Sequence, residues 1–175
     1  AVSANGNGSG QKSYLQDSGR FSGIFGWIFS TDHKRIGILY LYSMILFFLV
    51  GMSLGVFMRL EMLSQGETIM TAQTYNALFT LHGIIMIFLF IIPGIPAGFG
   101  NFFLPLQIGA EDVAFPVLNN LSWWLYTIGG LLAVISLYVG GGPIDTGWTF
   151  YIPYSVRTGT EVLFPLIAAF ILGFW

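Results

Sequence analysis

From Ile36 to Met58 the chain runs for 23 residues without an Asp, Glu, Lys, Arg or His. At about 1.5 Å per residue, a helix of that length crosses the roughly 30 Å hydrocarbon layer of a bilayer with some tilt. A surface helix of a soluble protein keeps charge on one face; this run has none. Two more such segments follow. Asn76–Ile92 holds His82 as its one residue of that kind, and Leu121–Val139 holds none. Val162–Trp175 is also apolar but has only 14 residues, short of the roughly 20 a span needs. The predicted fold class is therefore all-α, a polytopic transmembrane helical bundle with three full spans and the start of a fourth. Composition agrees. Only 8% of residues are charged and 55% are hydrophobic, against about 25% charged in soluble domains. A net charge of -2 supplies no basic patch for nucleic acid. The absence of cysteine excludes disulfides, thiolate metal sites and cysteine nucleophiles.

Residues 1–20 read as a flexible polar tail, without the apolar stretch of a signal peptide. Residues 21–175 read as one membrane domain, with spans near 36–58, 76–104, 121–139 and 162–175. Phe21–Phe29 is aromatic and short, which suits an interfacial helix. Ser30, Thr31 or Asp32 can cap the helix after it. Pro93-Gly94-Ile95-Pro96 should kink or loosen span two. Residues 93–120 read as an apolar loop broken by Gly and Pro, a backbone tolerated at membrane depth only inside protein or along a wet cavity. Gly51, Ser53, Gly55, Gly129, Gly130 and Ser136 read chiefly as small residues for close helix packing. Lys12, Arg20, Lys34 and Arg35 precede span one, whereas the later loops offer only Arg59 and Arg157. The excess of basic residues puts the N-terminus inside. Arg59 then falls near the outer face, loop 93–120 inside and loop 140–161 outside.

His82 is the sharpest chemical signal. An imidazole inside a lipid-embedded helix is costly and marks a function by default. Neutral imidazole is a good axial ligand for haem iron, and Leu78, Phe79, Ile85, Met86 and Leu89 offer apolar surface for a porphyrin. The residues alone leave a second role open, a histidine hydrogen-bonded between helices. Arg59 either snorkels to headgroups or pairs with a polar substituent of a buried cofactor. Glu61 is either solvated or holds a hard cation together with backbone carbonyls. Glu111, Asp112, Asn119, Asn120 and Ser122 either cap a helix or line a polar funnel for protons. Trp148 and Tyr151 read as interfacial aromatics, and His33 and Lys34 as a basic inner collar.

Several long stretches carry a family resemblance. They are Phe29-Ser-Thr-Asp-His-Lys-Arg-Ile-Gly-Ile-Leu-Tyr-Leu, Phe79-Thr-Leu-His-Gly-Ile-Ile-Met-Ile-Phe, Gly98-Phe-Gly-Asn-Phe-Phe-Leu-Pro-Leu-Gln-Ile-Gly-Ala, Asp112-Val-Ala-Phe-Pro, Asn119-Asn-Leu-Ser-Trp-Trp and Gly147-Trp-Thr-Phe-Tyr. In that order, from about Phe25 to Trp175, the chain resembles the N-terminal portion of subunit I of haem–copper terminal oxidases, in particular the bacterial cytochrome c oxidases.

The resemblance implies roles. His82 matches an axial ligand of the low-spin haem, expected to be haem a. Arg59 matches the arginine on that haem's formyl group, and Trp148 a tryptophan near its propionates. Asp112 matches the mouth of a proton pathway, with Asn101, Asn119, Ser122 and Tyr40 along its walls. Glu61 and Gly66 match a peripheral Ca2+ or Na+ site. The family's high-spin haem and copper would take ligands from outside this chain, as would the second ligand of the low-spin haem. The implied activity is proton-pumping reduction of O2 to water in the bacterial cytoplasmic membrane. Its implied partners are cytochrome c as donor, the rest of subunit I and other oxidase subunits. Two positions depart from the pattern. Val117 stands where a basic residue is usual, as in some quinol-oxidising relatives. Val50, Leu54 and Thr74 stand where ubiquinol enzymes carry polar quinone-site residues, which favours cytochrome c. The alternatives are a quinol oxidase of the same family, a bis-histidine membrane cytochrome, or a haem-free bundle.

Overall fold

The computed structural model describes residues 23–136, 146–157 and 162–173. Among these residues all regular structure is helical. The short α1 (Ile24–Ile28) precedes α2 (His33–Glu61), the first span. Asp32 proves to be the cap of α2, its carboxylate accepting the amides of Lys34 and Arg35. Its 29 residues make a rod of about 43 Å at 1.5 Å per residue. That exceeds the hydrocarbon layer, so both polar ends stand outside the apolar stretch 36–58.

The second span runs past Pro93, as its expected reach to 104 implies, and continues as one helical rod over Ala72–Ile108. The reading of 93–120 as a loop is corrected, because 94–108 are helical. α3 (Ala72–Ile84) passes into π-helical turns at Ile85–Ile91 and Gly94–Phe99, then into α4 (Gly100–Ile108). The loosening expected at the prolines is present as wider turns, not as a chain break. A π turn pairs residues five apart and so tolerates a proline that would orphan an i−4 carbonyl. The rod stops where Gly109 takes the left-handed conformation (φ 67°), which glycine adopts without steric cost. Only 109–115 form the connection, and α5 (Pro116–Ile135) starts with proline at its first position. α6 (Tyr154–Arg157) is a single turn, and α7 (Leu163–Leu172) packs on α5.

Three rods meet in one core. Ile36, Tyr40 and Phe47 of α2 pack with Leu81, Ile85 and Leu89 of the second span and with Trp123 and Tyr126 of α5. Small residues set the spacing. A β-carbon at Gly51 would lie 2.8 Å from Met86 Sδ, and one at Gly129 would lie 2.8 Å from Leu172 Cγ. Gly130 faces Phe47 at closer range still. The outward faces are apolar: Leu46, Ile95 and Leu106 are all exposed. A rod that is apolar on every side belongs in lipid or among further helices.

Candidate functional site

His82 sits half-buried on α3 with its Nδ1 2.8 Å from the carbonyl oxygen of Gly51 on α2. A carbonyl only accepts, so Nδ1 carries the ring proton. Nε2 is then the lone-pair nitrogen, the state in which an imidazole binds a metal. α2 gives the ring room: a β-carbon at Gly55 would lie 3.1 Å from His82 Cε1. Gly51, Gly55 and Arg59 follow at intervals of four, one stripe of the helix. Arg59 is the exposed C-terminal end of that stripe, one turn of about 6 Å beyond Gly55.

Trp148 reaches α3 beside Gly83 from a distant loop. Thr80, fully buried, donates its hydroxyl to Asn76 O and accepts the amide of Gly147, each at 2.8 Å. The indole then lies over Gly83, where a β-carbon would be 3.1 Å from its ring, and its centroid is 6.4 Å from Phe88. An imidazole whose proton is held on Nδ1, with bare glycine beside it, keeps Nε2 in the form that can bind a metal.

The second cluster lies between α2, α4 and α5. Asn119 donates to Asn101 Oδ1, and Asn101 donates to Ala97 O at 2.6 Å. Ser122 donates to Asn119 O at 2.7 Å, and its oxygen lies 2.8 Å from the Tyr40 hydroxyl. Asn101, Asn119 and Ser122 form the polar wall of a cleft of about 470 Å³ that is otherwise lined by apolar residues such as Leu104 and Phe115. Asp112 is exposed on the turn before α5, next to Val113 at the rim of that cleft. Its Oδ1 accepts the Val113 amide at 2.7 Å and meets His33 Nδ1 at 2.9 Å. His33, buried at the start of α2, is thus a partner of the acid and not merely part of a basic collar. No local pattern could have revealed this, because the two residues lie 79 positions apart.

Glu61 stands apart from both clusters. Its carboxylate accepts the backbone amides of Thr68, Ile69 and Met70 at 2.7–3.1 Å, which ties down the loop containing Gly66. These donors hold its carboxyl below the usual carboxylate range. Among the described residues no group of three or more His, Cys, Asp or Glu is placed to hold a metal ion. A cation at Glu61 would therefore take its other ligands from carbonyls.

Fold and sites define a multi-pass α-helical membrane protein with one metal-competent imidazole between its spans and a polar cleft between its second and third rods. The chain belongs to the family described as Cytochrome C and Quinol oxidase polypeptide I, which matches residues 35–175. It is 49% identical over 140 residues to a putative cytochrome c oxidase subunit 1-beta of Streptomyces avermitilis, covering 80% of this chain and 24% of that one. It is 45% identical over 134 residues to cytochrome c oxidase subunit 1 of Alkalihalophilus pseudofirmus, covering 77% and 21%. It is 41% identical over 137 residues to a heme-copper oxidase subunit I+III of Aeropyrum pernix, covering 78% and 17%. The chain thus spans about a quarter or less of the curated relatives it matches.

Proposed function

We propose that this chain is the first part of subunit I of a proton-pumping cytochrome c oxidase of the bacterial cytoplasmic membrane, with its N-terminus inside. In this reading His82 Nε2 would hold the iron of a low-spin haem, Arg59 would meet a polar substituent of that haem, and Trp148 would pack near it. When bound, the haem iron supplies one-electron transfer between ferric and ferrous states. The protein's share is to fix the imidazole. The Gly51 carbonyl sets its tautomer, Gly55 leaves space for it, and the surrounding apolar rods keep water away.

On the inner side Asp112 is the proton intake. A carboxylate at the rim of the cleft, backed by the Asn119–Asn101 pair and the Ser122–Tyr40 pair, can pass protons to water held along that wall. Cytochrome c as donor is supported by the names of the relatives, cytochrome c oxidase subunits, and by Val50, Leu54 and Thr74. The rest of subunit I would supply the ligands of the high-spin haem and copper, and other oxidase subunits would be partners of the assembled subunit. Glu61, with Gly66 in its loop, is the proposed peripheral Ca2+ or Na+ position.

The observation that carries the reading is the His82–Gly51 hydrogen bond, which leaves Nε2 bare. In the complete oxidase, His82→Ala should abolish the low-spin haem absorption while CO still binds the high-spin haem. A low-spin spectrum that survives would sink the ligand assignment. Asp112→Asn should slow proton uptake about a hundredfold, the lower range of a positioned acid–base group.

A further inference from the structure

The contact of His33 with Asp112 depends on where the chain turns between α1 and α2, and one residue of α5 holds that turn. Asn120 donates its side-chain amide to the carbonyl oxygens of Ile28 and Ser30, each at 3.0 Å. These carbonyls end α1, where a helix leaves acceptors without intrahelical partners. In the same turn Ser30 Oγ accepts the Asp32 amide at 3.2 Å, and Asp32 Oδ1 accepts the Lys34 amide at 2.8 Å. His33 lies between those two anchored residues. One turn further along α5, Trp124 packs against Phe29 with ring centroids 5.7 Å apart. Asn119, the neighbour of Asn120, faces Asn101 instead. A single turn of α5 thus serves the amide pair of the cleft and the corner that carries His33.

We propose that Asn120 is a positioning residue for proton intake: by holding the α1–α2 corner on α5, it keeps His33 within hydrogen-bond reach of Asp112. The proposal rests on the reading of Asp112 as the intake. The residue type follows from the acceptors. Two carbonyl oxygens need a donor, which an amide supplies, a carboxylate would repel and an alanine lacks. The other ionisable groups of this corner are Asp32, Lys34 and Arg35 on α2 and Glu111 on the turn. Asp32 is committed to its cap. Arg35 donates to Gly26 O at 3.3 Å and lies over the Trp27 ring at 5.4 Å. Lys34 and Glu111 are exposed.

The test uses the complete oxidase carrying N120A, N120D, H33N, the N120A/H33N pair and D112N, with proton-uptake rate measured across pH. N120A should slow uptake about fivefold, the factor one hydrogen bond carries, and displace the pH profile in the direction H33N does. N120D keeps the shape without the donor and should behave alike; if N120A fails to assemble, N120D carries the comparison. In the H33N background N120A should add nothing. A wild-type rate and profile in N120A and N120D, with H33N and D112N impaired, would overturn the proposal and leave the intake reading intact. Equal slowing by N120A with and without His33 would also overturn it. Unchanged uptake in D112N would remove the intake reading itself.

Discussion

The hydroxyl of Tyr126 on α5 donates to the carbonyl oxygen of Leu89 at 2.6 Å, in the interior of the bundle. An α-helix would give that carbonyl the amide of residue 93, and residue 93 is a proline without one. The phenol supplies that carbonyl, from another rod, with a donor in place of the one an α-helical turn would have drawn from residue 93. Its ring is held in turn by Tyr40 at 5.4 Å and edge-on by Phe47 at 5.7 Å.

Tyr126→Phe keeps the ring and removes the donor. It should destabilise the bundle by about 1–2 kcal/mol, the usual cost of leaving a buried acceptor without its partner. Thermal unfolding of the detergent-solubilised complex measures this. A variant with unchanged midpoint would show that the Pro93 region needs no help from α5.

A β-carbon at Gly55 would lie 3.1 Å from His82 Cε1, so the ring would have to give by a few tenths of an ångström. Gly55→Ala should shift the low-spin haem band and its midpoint potential with modest loss of stability. Gly55→Val should cost about 1–3 kcal/mol, as overpacked interiors do, and lower haem occupancy. Haem-to-protein ratio and redox titration read both. Normal occupancy and potential in the valine variant would mean that this face of α2 does not border the haem ligand.

Glu61 makes the loop it ties sensitive to acid. Its folded carboxyl is held below the usual range by three backbone amides, so the tether is stabilising above the unfolded value of about 4.3. That contribution is lost as pH falls through the lowered folded value. The protection of the Thr68, Ile69 and Met70 amides, their exchange rates relative to the intrinsic rates at each pH, should therefore stay high near neutrality and fall only in strong acid. Glu61→Gln should show lower protection throughout, without that acid transition. If added Ca2+ slows exchange further in wild type and not in Glu61→Gln, the cation role gains direct support; no effect in either counts against it.

The three rods were legible because charge is absent from them, a signal that survives without any neighbour. The end of the second rod was not. Pro93, Gly94, Pro96 and Gly98 read as breakers by local chemistry, but π turns and the Tyr126 hydroxyl satisfy the backbone they disturb, and both depend on tertiary contact. His82 was legible as an ionisable group at membrane depth. Its tautomer was not, because the Gly51 carbonyl lies 31 residues away. Asn119, Asn120 and Ser122 were legible as polar residues at a helix start, but Asn101 and Tyr40 entered only through resemblance. The partners of His33 and Asn120 were not legible, because each lies in a distant part of the chain.

The central claim is that His82 Nε2 binds the low-spin haem. Near-infrared magnetic circular dichroism identifies the axial ligands of such a haem, so the direct comparison is the complete oxidase against His82→Met. With His82 as ligand, the substitution should move the near-infrared charge-transfer band to that of a thioether-ligated low-spin haem, or abolish the low-spin signal. A charge-transfer band unchanged in the methionine variant would contradict the assignment.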